Sequence, residues 1–499
     1  MNNKKYLYGA SVQGIQGFIF GTNKLREIVG ASELVEQICT DLFYKIANIN
    51  KEDSNIILSA AGNIKYVFDD EQKCKDFVKI FPKSVSELAP GVTISQAVIE
   101  FEGDDFSNSI QKLEDKLKEQ RNIVAAPLEI GFMGLERARR TNGVGVKFDK
   151  KEDEVFDTAT LAKINAGDNV ALFEKMSGFK PKASELAFDT EEITKSGKNS
   201  WIAVMHADGN GLGQILQNKG KDFVIANKFE KFSKTIEEST KNAIKKAFEE
   251  VVKKEYDAKY RYPIRPIIIG GDDVTVIIRA DLALDFTKIF LEQFEIESSE
   301  RFKEIGLSDY DGGLTACAGI AYIKESYPLH YGLSLAEKLC SDAKKYVKRT
   351  KDDGKLEDPE YGEMPKSAIA FYKVQDSFVD DLKTLKQRTL QTKTGLSYYA
   401  GPYKLSDLDN LYKKLQTLKE EADKNDKIKA VSKLRQIVTE TYKDVSTSIF
   451  MMERMKEVNK DFYSDLNLSK ELEAIKNNGK SQLLDLITLH SFNYGNKEN

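Results

Sequence analysis

A polar start, Met1-Asn2-Asn3-Lys4-Lys5, gives way to a short apolar run, and Tyr6-Leu7-Tyr8-Gly9-Ala10 within Lys5 to Ser11 predicts a short strand. Helical spacing takes over from Leu25 to Ile46, where Ile28, Leu34, Val35, Ile38, Leu42 and Phe43 supply one apolar face. The run from Ile56 to Phe68 predicts two strands joined at Gly62-Asn63. A helix from Gln72 to Leu88, a strand from Val92 to Phe101 and a helix from Phe106 to Gln120 follow. The order βαββαβ is a split, ferredoxin-like layout.

Residues 122–198 break this pattern, and charged turns such as Asp149-Lys150-Lys151-Glu152-Asp153-Glu154 predict an irregular, inserted connector. The first pattern then returns. Trp201 to His206 predicts a strand, Phe223 to Lys254 a long helix, and Tyr262 to Ile269 and Val274 to Arg279 a strand pair. A helix (Leu282 to Phe302), a strand (Leu314 to Ile323) and a helix (Ser334 to Val347) come next. After the polar loop Lys351 to Glu360, Ala368 to Val374 reads as a closing strand. Two copies of one topology are expected, a repeat of about 150 residues carried by element order rather than identity. From Asp376 to His490 the pattern is helical throughout, with helices at Ser406 to Ala422, Lys427 to Met455, Ser469 to Ile475 and Ser481 to Leu489. That predicts a small bundle, with Asn493 to Asn499 as a frayed tail. The expected class is α+β, with ferredoxin-like domains over 1–121 and 199–375, the connector over 122–198, and a helical domain over 376–499.

A length of 499 residues suits three or four domains, and 41% hydrophobic with 31% charged residues suits several soluble cores. Lys and Arg number 75 against 79 Asp and Glu, so the net charge of −4 gives no global basic field for nucleic acid. Any nucleotide must be held by a local site or through a partner. Cys39, Cys74, Cys317 and Cys340 form no C-x-x-C pair, which argues against a zinc ribbon or a disulfide framework. No apolar run approaches the roughly 18 residues that span a bilayer, and no signal segment opens the chain, so a cytoplasmic protein without membrane contact is expected.

The chemistry concentrates in two places. In Ile267-Ile268-Ile269-Gly270-Gly271-Asp272-Asp273-Val274-Thr275-Val276 two apolar strands meet at a turn that carries two carboxylates. Gly270 and Gly271 permit positive φ and close approach of a ligand to the backbone. Adjacent carboxylates repel, and a divalent cation, Mg²⁺ or Mn²⁺, offsets that with hard oxygen ligands. An Asp-rich surface turn is the plainer alternative. The second place is Ile202-Ala203-Val204-Met205-His206-Ala207-Asp208-Gly209-Asn210-Gly211-Leu212-Gly213, a buried strand that ends in Asp208 and enters a glycine-rich turn. There Gly209, Asn210, Gly211 and Gly213 can offer backbone N–H groups to phosphates. By itself this stretch also reads as a plain turn, or as a calcium-loop fragment lacking its closing acid. In a split βαββαβ sheet the two strands are neighbours, so Asp208 and Asp272 are expected to converge as in two-metal phosphoryl transfer, with Asp273 beside them. Lys344, near the end of a helix, reaches toward a triphosphate or is an exposed helix-end lysine. Arg137-Ala138-Arg139-Arg140 is a solvated loop or an RNA contact.

These residues resemble the large polymerase/cyclase subunit of type III CRISPR effector complexes. Asp208-Gly209 with Leu212-Gly213, the Gly270-Gly271-Asp272-Asp273 hairpin, Ala318-Gly319-Ile320-Ala321, Tyr327-Pro328-Leu329 and Ala336-Glu337-Lys338-Leu339 resemble its second palm domain, and more distantly diguanylate cyclases. Val12-Gln13-Gly14-Ile15-Gln16-Gly17-Phe18 and Leu25 to Leu34 resemble its first palm; Pro402-Tyr403 and Leu483-Leu484-Asp485-Leu486 resemble its helical domain. The resemblance implies two bound ATP molecules, or another nucleoside triphosphate, and synthesis of cyclic oligoadenylate as an antiviral second messenger. It implies Asp208, Asp272 and Asp273 as catalytic metal ligands and Ser32 in the nucleotide pocket. It also implies RNA-binding effector subunits docked on the helical domain, with RNA reached through them. In the first palm Ala61-Gly62-Asn63 replaces the acidic hairpin, so that half is expected to bind without catalysing.

Four departures accompany the resemblance. Asn210 stands where the family carries a second acidic residue. The chain opens on the palm, so an N-terminal HD nuclease domain is expected to be absent, and His206, His330 and His490 form no His-Asp dyad. Arg137 to Gly143 stands where paired zinc-binding cysteines are expected. The chain is also short for the family. Intact Asp208, Asp272 and Asp273 favour a nucleotidyltransferase forming cyclic or linear oligonucleotides; Asn210 and the missing accessory domains favour a nucleotide-binding scaffold. A homodimeric cyclic dinucleotide synthase fits less well, because the second half-site is supplied within the same chain.

Overall fold

A computed structural model describes residues 4–102, 106–123, 134–150, 152–212, 226–304, 313–348, 365–375, 381–424 and 429–494. The chain forms two compact units, the first made of Met1–Glu192, Gly211–Val276 and Gln293–Leu314 and the second of Ile193–Asn210, Ile277–Glu292 and Thr315–Asn499.

In the first unit, β1 (Lys4–Gln13), β2 (Ile56–Ala60), β3 (Asn63–Phe68) and β4 (Thr93–Glu102) form an antiparallel sheet in the order β2-β3-β1-β4. This is the sheet of the expected βαββαβ layout. Alternation sends the side chains of β1 to two faces, both covered. Tyr8, Ala10 and Val12 join Leu34, Phe77 and Phe81 in one cluster, with helices α1 (Leu25–Gln37) and α2 (Glu71–Leu88). Leu7 joins Val67, Ile99, Leu113 and Leu117 in a second cluster under α3 (Phe106–Arg121). Asp70 starts α2 by accepting from the Lys73 N–H at 2.7 Å.

The helical span expected from Leu25 to Ile46 is met, running through a π-helical turn at Ile38–Leu42 and ending at Ala47. Two expectations for this unit are corrected. The β2–β3 turn is Ala61-Gly62 rather than Gly62-Asn63: Ala60 pairs with Asn63, and φ is 50° at Ala61 and 78° at Gly62. Positive φ at both central residues is what a two-residue hairpin with the native twist requires. The connector is not irregular. It holds a hairpin of β5 (Gly145–Asp149) and β6 (Glu154–Asp157), then α4 (Thr158–Ala166) and α5 (Ala171–Ser177). Its charged stretch belongs to the hairpin turn, and Asp157 caps α4 by accepting from the Thr160 N–H at 2.7 Å. Gly30 lets α1 approach α4 closely, since a Cβ there would lie 1.7 Å from the Lys163 carbonyl oxygen. Arg140 is ion-paired to Glu27 at 2.9 Å and Glu154 at 3.0 Å, so this member of the basic cluster is occupied within the fold.

The first unit also contains α6 (Ala226–Ala247), β8 (Ile264–Gly270), most of β9 (Asp273–Arg279) and the end of α7 (Ala280–Glu304). The second contains β7 (Trp201–Gly209), β10 (Ala316–Lys324), α8 (Leu329–Val347), β11 (Ala368–Lys373) and β12 (Tyr403–Lys404). The dividing line falls inside β9 and inside α7, and the strands form one hydrogen-bonded sheet, β12-β11-β10-β7-β9-β8. Its β10-β7-β9-β8 portion repeats the order β4-β1-β3-β2 of the first sheet. The closing strand β11 adds parallel to β10, carried over by α8. The expected polar loop at 351–360 lies outside the described residues.

Helices α9 (Leu382–Thr389), α10 (Leu405–Lys424), α11 (Lys429–Thr441), α12 (Val445–Val458), α13 (Lys460–Asp465), α14 (Leu468–Lys476) and α15 (Leu483–Tyr494) complete the second unit. The single helix expected over Lys427 to Met455 is two helices. Asp444 interrupts it by capping α12, accepting from the Ser446 and Thr447 N–H groups at 3.0 and 3.3 Å. Nor is this part helical throughout, because Gln391 bridges Ser397 and Ser397 bridges Lys480 before β12. A buried ion pair, Lys414 with Glu471 at 3.5 Å, is completed by Gln482 and Ser481, which bond Lys414 at 2.9 Å and Glu471 at 2.8 Å. Such charges tolerate burial only when their remaining donors and acceptors are met.

All four cysteines are free and buried. Among the described residues no helix is long and apolar enough to cross a membrane.

Burial pushes the Asp485 carboxyl up to about 7, against the hydrogen bond it accepts from the Tyr403 hydroxyl at 2.6 Å. A carboxyl whose folded pKa is raised is protonated in the native state while its unfolded counterpart is ionised. Its stabilising contribution is therefore full below the unfolded value near 4 and is lost as pH rises toward 7. Asp485→Asn is expected to flatten the fall in melting temperature between pH 5 and pH 7.5, measured by scanning fluorimetry. An unchanged slope would place the titrating group elsewhere.

Candidate metal and nucleotide centre at the strand ends

Alternation along β7 sets the geometry. Ala207 and Gly209 are buried, while His206 and Asp208 are half-exposed on the other face. The β8–β9 turn is Gly271-Asp272, with φ of 59° at Gly271, a conformation suited to glycine. Thr240 fixes this turn by donating to the Gly271 carbonyl at 2.6 Å. Asp273 then becomes the first residue of β9, the strand next to β7.

The result is a triad. One ligand atom each from His206, Asp208 and Asp273 lies within 4.8 Å of the others, all three side chains half-buried. Asp272, at the turn, is not part of it. The sequence reading pairs Asp208 with Asp272 first and sets Asp273 beside them; the oxygen found near those of Asp208 and His206 is that of Asp273. That reading also left out His206, whose signal was present, since a residue two before Asp208 shares its face of the strand. Burial holds the His206 imidazole below its usual range, Asp208 opposing the shift and Lys344 adding to it. A neutral imidazole keeps a lone pair for a metal.

Lys344, in the last turn of α8, is ion-paired with Asp208 and donates to the Gly209 carbonyl at 2.7 Å. It stands beside the carboxylates rather than free at a helix end. Asn210 is 1% exposed and turned into the protein: its amide donates to Thr315 Oγ1 at 3.0 Å and its backbone N–H to the Thr315 carbonyl at 2.8 Å. It is therefore held as a packing residue beside β10. Gly211 follows with φ of 71°, and Gly213 lies outside the described residues.

Within the first unit the two equivalent hairpin tips meet. A Cβ on Gly270 would lie 2.6 Å from the Cβ of Ala61. Ser32 is 3% exposed in α1 and donates to the Ile28 carbonyl at 3.2 Å. Its neighbour Glu33 is buried, accepts from the Leu172 N–H at 3.1 Å, and is pushed up by that burial to about 7. Arg265 of β8, 2% exposed, carries a guanidinium that burial lowers to about 10 against the attraction of Glu33. This buried pair has no local sequence signal, because its members come from distant segments.

A βαββαβ sheet with carboxylates at the end of its first strand and at the head of its hairpin strand has the layout of a palm domain. Residues 201–353 match the family model for Cas10/Cmr2, second palm domain. No curated protein matches the sequence. Among solved structures, a Csm1–Csm4 cassette in complex with cA4 is similar at 13% identity and a TM-score of 0.57, over 98% of this chain and 70% of that one. A Csm1–Csm4 cassette in complex with one ATP gives 13% and 0.55 over the same shares. Csm1 in T. onnurineus gives 14% and 0.57, again over 98% and 70%. At these identities the likeness is one of fold, and it extends over nearly the whole chain.

Proposed function

We propose that this protein is a divalent-metal-dependent nucleotidyltransferase that converts ATP to cyclic or linear oligoadenylate in antiviral defence. The observation that carries the reading is the convergence of Asp208 and Asp273 on neighbouring strand ends. The donor set fits the cofactor. Two carboxylates with room for phosphate oxygens suit Mg²⁺, and an imidazole beside them brings Mn²⁺ within range. A bound cation would neutralise charge on the α-phosphate and the departing pyrophosphate as a 3′-hydroxyl attacks. Asp208 and Asp273 would hold it; Lys344 steadies Asp208 and adds positive charge near the phosphates. Gly209 and Gly211, with Gly270 and Gly271, are the backbone positions proposed to meet phosphate oxygens. Ser32 lines the nucleotide pocket, and Asp272 contributes at the turn.

ATP as substrate is supported by the similar folds solved with ATP and cA4. The Ala61-Gly62-Asn63 hairpin, without carboxylates, belongs to a half that binds and does not catalyse. RNA-binding effector subunits docked on the helical part are the proposed partners and the source of activation by RNA.

The test is incubation of purified protein with Mg²⁺ and each labelled nucleoside triphosphate, products being resolved by mass spectrometry. Oligoadenylate and pyrophosphate are expected from ATP. If the protein stays inactive with partners and target RNA present, yet retains ATP binding by calorimetry, it is a nucleotide-binding scaffold.

His206 adds a prediction about the metal. Mn²⁺ is expected to half-saturate turnover at a concentration about tenfold below that of Mg²⁺, and His206→Gln to narrow that gap. A gap that His206→Gln leaves unchanged would exclude the imidazole as a ligand.

A further inference from the structure

The helical part of the second unit encloses a cavity of about 520 Å³, built from β11, α11, α15 and the segment around Tyr399. That volume lies within the roughly 300–1,000 Å³ of small-molecule and cofactor sites. None of its walls carries a residue of the carboxylate centre described above.

Its charge is one-sided. Lys373, Arg435 and Lys443 line it, and Asp485 is the one acidic lining residue. Among the described residues neither Lys373 nor Arg435 has a carboxylate partner, though the Lys373 ammonium donates to Ser491 Oγ at 3.0 Å and lies over the Trp201 ring at 4.4 Å; Lys443 reaches Glu440 at 3.4 Å on the exposed side. Burial lowers the Lys373 ammonium to about 8, with Arg435 and Lys324 adding to the shift by repulsion. Asp485 offsets little of this, being bonded to Tyr403 and shifted toward its neutral form. Cations gathered without a counter-charge are relieved by a bound anion.

Aromatic surface stands beside them. Arg435, Thr439 and Tyr442 recur at spacings of four and three residues along α11 and its end, so they share one face. The Tyr442 ring is 37% exposed, whereas Tyr399 forms a buried part of the wall, with Lys386 over its ring at 3.8 Å. A site for inorganic phosphate needs the cations alone. Cations next to an open aromatic ring suit a ligand with a flat ring system at one end and phosphates at the other.

We propose that this cavity is a second nucleotide site, which takes a nucleoside phosphate with its base against Tyr442 and its phosphates on Arg435 and Lys443, Lys373 adding positive charge behind them. The site is independent of the palm reading and needs no metal. It gives the helical part a means of sensing the same class of molecule that the palm is proposed to consume or make.

The experiment is ATP binding by calorimetry in EDTA, using the full chain with Asp208→Ala and Asp273→Ala to silence the palm. Binding is expected to persist there and to weaken about tenfold or more on adding Arg435→Ala with Lys443→Ala, two exposed positions that the fold does not depend on. Tyr442→Ala is expected to weaken ATP and leave tripolyphosphate unaffected. Absence of ATP binding in EDTA overturns the proposal, as does binding that these substitutions leave unchanged. Tripolyphosphate binding as tightly as ATP overturns the nucleoside part. Turnover of wild-type protein with Mg²⁺ is a separate readout, so failure of either site is distinguishable from failure of the other.

Discussion

Asp208→Ala and Asp273→Ala are each expected to lower ATP turnover by at least ~100-fold, whereas Asp272→Ala is expected to stay within about tenfold of wild type. Loss of a residue that merely supports a metal ligand typically costs about 10–100-fold, so loss of a ligand itself belongs above that range. The distinction between the adjacent aspartates rests on geometry. Asp273 enters β9 and offers an oxygen within 4.8 Å of Asp208 and His206, while Asp272 is at the turn. Turnover should be measured with Mn²⁺ affinity on the same proteins, because a ligand's loss moves both and a change in substrate positioning moves only the first. If Asp272→Ala proved the more damaging, Asp273 would not be the carboxylate that meets the metal with Asp208, and the proposed assignment would fall.

Gly319→Ala is expected to cost about 3 kcal/mol and to unfold the second unit at a markedly lower urea concentration. A Cβ at Gly319 would stand 1.9 Å from the Ala336 carbonyl oxygen and 2.5 Å from the Cys340 backbone nitrogen. Both are helix backbone and cannot rotate away, so α8 would have to lift from β10. The chain's one tryptophan, Trp201, begins β7, hydrogen-bonded to β10, and gives a fluorescence signal for that sheet. Gly17→Ala is the control, since nothing lies within 4 Å of the added carbon, and its effect should stay within about 1 kcal/mol. Because α8 also carries Lys344 to Asp208, a partly folded Gly319→Ala protein should lose turnover before it loses helix content.

The order of elements was legible because each element's pattern is local. The short apolar run Tyr6 to Ala10 and the apolar runs on either side of Gly270-Gly271-Asp272-Asp273 identify strands without knowledge of their partners. The connector was misread for the converse reason. Its charged residues sit in a hairpin turn and at a helix cap, and the apolar contacts that order it, such as Leu172, Phe173 and Met176, are too few and scattered to show a period. A continuous helical pattern also predicts one long helix across Asp444, where a single capping side chain starts a new one.

By itself the sequence determined the two βαββαβ halves, the glycine turn that brings carboxylates to a strand end, and the placement of Asp208 at the end of β7. These follow from spacing within a few residues of the chain. The tertiary structure alone brought ligand atoms of His206, Asp208 and Asp273 within 4.8 Å of one another and turned Asn210 inward to Thr315. It also assembled the basic cavity of the helical part from segments far apart in the chain. Each of those outcomes depends on strand register or on packing between distant segments, and a one-residue change of register sends every side chain of a strand to its opposite face.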